Sequence, residues 1–170
     1  SLSGAAIVDG VRNGTLDFGL AGGYFSRVLR PAVGNLAIVP WCHFEPVLVA
    51  TPSVVAALQA PKARVSVLLP SFSEHQIAEL RENIAAMSLN GDFQVFDTAE
   101  AVRSVVMSGG GVGLLPTFVV SLELEVGRLE RCLREVPLRE GVIEFVHRRP
   151  ATNPALTTWV KFLWDRRRAA

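Results

Sequence analysis

With 170 residues, the chain is long enough for one compact domain or two small lobes sharing a hinge. Apolar residues make up 49% and charged residues 19%, which excludes wholesale disorder and allows a sizeable core. Seventeen Lys and Arg against sixteen Asp and Glu give a net charge of +1, so the chain lacks the basic face that nucleic-acid binding needs.

Ile7, Val8 and Val11 recur at helical spacing between Ser3 and Gly14, a glycine placed for a left-handed C-cap. Leu16 to Ala21 predicts a buried strand ending at Gly22-Gly23. The apolar runs Leu36–Val39 and Pro46–Ala50, separated by Trp41–Glu45, predict two more strands. Thr51-Pro52 signals a helix start, with Thr51 as N-cap, and that helix stops near Pro61. Arg64–Leu69 predicts a strand, followed by a turn at Pro70–Ser73 and a helix from about Glu74 to Met87 with Ile77, Leu80 and Ile84 on one face. Asn90-Gly91 signals a turn and Phe93–Phe96 a strand. Asp97-Thr98-Ala99-Glu100 has the character of a capping box, with Asp97 as the cap of a helix carrying Val102, Val105 and Val106. Gly109–Gly111 ends that helix, Val112–Leu115 is a strand, and Pro116-Thr117 opens a helix that Gly127 stops. Val142–Val146 predicts a last strand, and Asn153-Pro154 a terminal helix whose end carries Arg166–Arg168. This alternation predicts an α/β fold with mostly parallel sheets and ligands beyond the carboxyl ends of the strands.

Little in the chain suits catalysis. The glycines of Gly109-Gly110-Gly111-Val112-Gly113 lie between helix and strand, the reverse of a phosphate loop, and no Gly-Lys-Ser/Thr follows. Cys42 and His43 are adjacent, and neighbours in an extended segment point to opposite faces. His75 and His147 suit surface positions, and Glu123 and Glu125 lie two apart on different faces of a helix. Cys42 and Cys132 show neither disulfide nor metal spacing and suit a reducing compartment. We therefore expect no enzyme, no metal and no cofactor. No apolar run reaches the ~18 residues of a membrane helix, and no leader opens the chain, so a cytoplasmic location is expected.

Four segments, in this order, resemble the effector-binding domain of LysR-type transcription regulators. They are Ala6-Ile7-Val8-Asp9-Gly10-Val11-Arg12-Asn13-Gly14-Thr15-Leu16-Asp17-Phe18-Gly19-Leu20, then Phe44-Glu45-Pro46-Val47-Leu48-Val49-Ala50-Thr51-Pro52, then Val105 through Gly109-Gly110-Gly111-Val112-Gly113-Leu114-Leu115-Pro116, and last Glu125-Val126-Gly127-Arg128-Leu129. The resemblance covers essentially the whole chain. It implies two α/β lobes joined by two hinge crossovers, as in type II periplasmic binding proteins. Residues 1–51 and 142–170 would form one lobe and 52–141 the other. The family's DNA-binding helix-turn-helix, its linker helix and the first strand–helix–strand of the effector domain would lie outside this chain. The resemblance further implies a small polar or anionic effector in the inter-lobe cleft, a homo-oligomer (dimer or tetramer), and DNA contact only through the absent domain. An exported solute-binding protein of the same fold is the alternative; an upstream leader would favour it and an upstream helix-turn-helix would exclude it. An enzyme on this fold is the third reading, and turnover of a bound ligand would support it.

The candidate effector residues cluster at strand ends. Ser71, Phe72 and Ser73 form one turn that opens a helix, and Asp97 and Thr98 form another. Free amides and the positive end of the dipole suit a polar or anionic group there. In the LysR-type family the corresponding turns hold effectors. Asp97 would repel a carboxylate, so an anionic group is expected nearer Ser71 and Ser73. Gly22 and Gly23 after the first strand, and Thr117 after Pro116, complete the set. Helix capping alone would also explain Ser71, Asp97 and Thr98.

Overall fold

The computed structural model describes residues 4–23, 35–60 and 63–149, with Pro154, Thr157, Thr158, Lys161 and Phe162 beyond them. Arg166–Arg168 and most of the terminal helix read from Asn153-Pro154 lie outside the described residues. The chain forms two compact units, Phe44–Gly141 and, from its two ends, Leu2–His43 with Val142–Ala170.

In the unit built from the chain ends, helix α1 (Gly4–Asn13) packs Val8 and Val11 with Ala21, Leu36 and Val146. Gly14, at φ 81, ends the helix as its sequence signal predicts. Strand β1 (Phe18–Gly22) pairs antiparallel with β8 (Gly141–Arg148), which lies between it and β2 (Leu36–Phe44). The separator expected at Trp41–Glu45 is in fact strand up to Phe44, and only Glu45 interrupts the extended chain.

The other unit has a five-stranded sheet in the order β5-β4-β6-β3-β7. Its strands are β3 (Pro46–Ala50), β4 (Arg64–Pro70), β5 (Asn90–Phe96), β6 (Val112–Pro116) and the short β7 (Glu130–Arg131). Every residue of β3 and β6 is buried. Side chains alternate between two apolar layers. Leu48, Val65, Val67, Leu69 and Leu114 face helix α3 (Ile77–Ala86), which contributes Leu80 and Ile84. Val47, Val49, Leu68 and Leu115 face α4 (Ala99–Met107) and α5 (Thr117–Glu125), through Val102, Val106 and Val120.

The sheets are mixed, which corrects the mostly parallel expectation. β4 is parallel to β5 and β6, but β3 is antiparallel to β6 and β7. The reason lies where the chain enters the unit. Pro46 sits opposite Pro116, the last residue of β6, so β3 starts at the carboxyl edge of the parallel strands and must run back across the sheet. This pairing also puts β3 in the five-stranded sheet, so the contact boundary falls between His43 and Phe44 instead of near Thr51.

Several local signals moved by one step. The stretch Ser71–Gln76 is a 3-10 turn and the α-helix begins only at Ile77, later than the expected Glu74. Asn90-Gly91 belongs to β5, opposite Arg64 and Val65, and is no turn. The reversal is made by Ser88 at φ 61, whose N–H donates to the Ala85 carbonyl while that of Leu89 donates to Ile84. This is the hydrogen-bond pattern of a glycine C-cap, built here on serine. Helix α2 (Pro52–Ala57) carries Pro52 in its first turn, but Thr51 makes no side-chain cap; its hydroxyl meets that of Ser53 at 3.1 Å.

Candidate functional site

The parallel strands β4, β5 and β6 carry three predicted site segments to one edge of the sheet. Pro70 lies opposite Phe96 in the β4–β5 register, so the turns that follow start side by side. Ser71, half-buried, donates from Oγ to the Asp97 carbonyl at 3.3 Å, a long bond that ties the two turns across 26 residues of sequence. Asp97 itself is exposed. Thr98 is the N-cap of α4, its Oγ1 accepting from the Ala101 N–H at 3.2 Å. Thr98 therefore replaces Asp97 as the expected cap: its extended backbone (φ −135°, ψ 156°) points the hydroxyl back into the first turn. Ser71 does not cap its own turn: the cap position is Pro70, and no side-chain cap bond forms there.

Thr117 stands at the end of β6 on the same edge. Its N–H and Oγ1 both donate to the Glu45 carbonyl, at 3.0 and 2.9 Å. That double bond to one acceptor anchors α5 to the residue where the chain enters β3. Gly22 and Gly23 belong to the other unit, where Gly23 has φ 138 and donates to the Val142 carbonyl at 3.0 Å. The side chains of Phe72 and Ser73 lie outside the described residues. Ser71, Asp97, Thr98 and Thr117 thus share one edge, with the N-terminal turn of α4 among them.

The sequence reading passed over Gln76. It lies four and eight residues before Leu80 and Ile84, so a polar residue sits on an apolar stripe. In the fold it is buried, as are Glu123 and Glu144. Glu123 on α5 is paired with Arg103 on α4; this hydrogen bond, ahead of the other causes, holds its carboxyl below the usual carboxylate range. Glu125 is exposed. Burial pushes the Cys132 thiol up to about 12, so at neutral pH it carries no thiolate for nucleophilic attack. His43 is exposed, and Nδ1 of His147 donates to the Arg148 carbonyl at 2.9 Å. Among the described residues no three His, Cys, Asp or Glu side chains converge as a metal would require, and no helix is long and apolar enough to cross a membrane. What the edge offers is hydroxyls, a carboxylate and helix amides, which suits binding.

The family described as LysR substrate binding domain matches residues 1–168, which include the edge just described. The chain belongs to this LysR family. Its fold, two α/β lobes of the type II periplasmic-binding-protein kind, is shared with solved regulatory domains of LysR-type regulators. The apo regulatory domain of HypT from Salmonella typhimurium superposes with a TM-score of 0.73 at 17% identity, over 98% of this chain and 79% of that one. The effector domain of AmpR from Pseudomonas aeruginosa gives 0.69 at 17% identity, over 94% and 75%. Full-length LysG from Corynebacterium glutamicum, solved with bound effector Arg, gives 0.63 at 19% identity, over 97% of this chain and 56% of that one. The LysR chain thus spans most of an isolated regulatory domain and little more than half of a full-length regulator. No protein in the curated set matches it.

Proposed function

We propose that this LysR-family domain senses a small polar or anionic metabolite at the carboxyl edge of β4, β5 and β6. It performs no chemistry on the ligand, works in the cytoplasm as part of a homo-oligomer, and reaches DNA through a domain outside this chain. The hydrogen bond from Ser71 to Asp97 carries this reading, since it brings two turns with ligand-facing chemistry together beside the N-terminus of α4. The bound effector of LysG shows that a protein of this fold holds a polar ligand. The family match speaks against the exported solute-binding alternative.

Calorimetric titration of Ser71→Ala, Ser73→Ala and Thr98→Val tests the site, using any metabolite that raises the melting temperature of the parent chain. At least one variant should lose about 1.5–3 kcal/mol, tenfold or more in Kd, the worth of a hydrogen bond to a charged group. Parent-like binding by all three would place the ligand elsewhere. The division of labour with a separate DNA-binding domain has its own check. A gel shift with this chain and duplex DNA should show no complex, and salt-sensitive micromolar binding would sink that part of the reading.

A further inference from the structure

Strand β3 pairs with β6 from Pro46 to Val49, but with β7 only at Val49 and Ala50. The last bond on the β7 side runs from the Cys132 N–H to the Leu48 carbonyl at 2.9 Å. A strand residue aims its N–H and its carbonyl to the same side, so the Leu48 N–H points outward as well. The reciprocal bond to the Cys132 carbonyl does not form, because β7 ends at Arg131 and Leu133 turns the chain away at φ 48. Leu48 is 2% exposed, and among the described residues its N–H meets no acceptor. Native proteins rarely bury a backbone donor in that state.

Between this open edge and the loop after β7 lies a pocket of about 460 Å³, a size suited to a small molecule. Leu48, Leu133, Val136 and Leu138 give it an apolar wall. Of its charged residues, Arg131 is held by Glu45 at 3.2 Å and Glu140 has a partner of its own, whereas Arg134 has no ion pair among the described residues. Glu130 and Glu135 line adjoining hollows and not this one. The pocket thus combines one unpaired cation and one orphan amide donor with hydrocarbon.

We propose that this pocket is a second small-molecule site and that its ligand is a monocarboxylate with a compact apolar body. The carboxylate accepts from the Leu48 N–H and the Arg134 guanidinium, and the body covers Leu133, Val136 and Leu138. A second negative charge on the ligand would meet Glu45 and Glu140, and an amine would leave both donors unmet. Ser71, Asp97, Thr98 and Thr117 do not line this pocket, so the proposal stands apart from the effector reading.

The test is nuclear magnetic resonance of the nitrogen-15-labelled chain, read at the backbone amides of Leu48, Ser71 and Thr98. The probes are benzoate, hexanoate and 3-methylbutanoate, with acetate, succinate and hexylamine as controls. At least one apolar carboxylate should move the Leu48 amide to saturation, with a Kd about tenfold or more below that of acetate, because it buries methylene or ring carbon. Succinate and hexylamine should leave that amide in place. Arg134→Gln should weaken the same carboxylate about tenfold, at an unchanged melting temperature because Arg134 is exposed. A Leu48 amide unmoved by all three carboxylates, equal saturation by any control, or parent-like binding by Arg134→Gln would each overturn the proposal. Shifts at Ser71 and Thr98 with Leu48 silent would overturn it and leave the effector site standing. Shifts at Leu48 with Ser71 and Thr98 silent would support it, whatever the fate of the effector edge.

Discussion

Gly111→Val should abolish the cooperative melting of the domain, or lower its midpoint more than any other single change in the turn. Gly111 has φ 148, and a Cβ there would be driven into the backbone carbonyl of Ser66 on β4, an atom that no side-chain rotation can move. The residue stands just before β6, which lies between β4 and β3, so a shift at this point disturbs both pairings of the central sheet. A backbone clash added to a glycine-only conformation belongs to the exceptional class of substitutions costing about 4 kcal/mol or more. Gly109 is the internal control. At φ 82 it occupies the left-handed position of the α4 cap, with the Gly110 N–H donating to Val105 and its own to Val106, but open space surrounds it. Gly109→Ala should therefore cost only about 1–2 kcal/mol, the strain of a left-handed residue. Thermal unfolding followed by circular dichroism reads both, and a Gly111→Val midpoint equal to that of the parent would refute the turn geometry.

Arg103→Met should produce the second large loss, and one that depends on pH. Glu123 is buried between α5 and α4, and its partner is the half-exposed Arg103 guanidinium. A carboxyl held below its ordinary range of about 4.5 stabilises the fold in full above that value. The stabilisation is lost as pH falls through the lowered folded value. Without Arg103 the buried carboxylate keeps only a backbone hydrogen bond and the weaker pull of Arg128, so its pKa rises and the charged form stabilises the fold less at neutral pH. The gap in melting temperature between parent and variant should thus be widest near neutral pH and close as both carboxyls protonate. Glu123→Gln should show a flatter acid limb than the parent. A gap that stays constant with pH would mean that Arg103 acts through packing alone.

How far the edge could be read from sequence depended on how local its chemistry is. The Thr98 cap joins residues three apart, and its neighbourhood was legible, although Asp97 offered an equally good cap and only the backbone angles chose between them. Ser71 was legible as a residue of the turn after a strand, but not as a donor to Asp97. Gln76 went unread because a single polar residue on an apolar stripe gives no periodic signal, although its place four residues before Leu80 was there to be noticed.

By itself the sequence determined what short-range energetics control: the alternation of strands and helices, the left-handed cap at Gly14, the helix ends at Gly109–Gly111 and Gly127, and the apolar runs that became the buried strands β3 and β6. Each depends on sterics or periodicity within a few residues, so it is written where it acts. Tertiary structure alone decided that β3 runs against β6, that Asn90-Gly91 extends β5, and that the Thr117 hydroxyl serves Glu45, 72 residues away. It also decided which way the hydroxyls of the edge point. These outcomes depend on where distant strands find unpaired backbone groups and matching apolar faces. A pairing partner is a property of the assembled sheet, and no stretch of the chain encodes it alone.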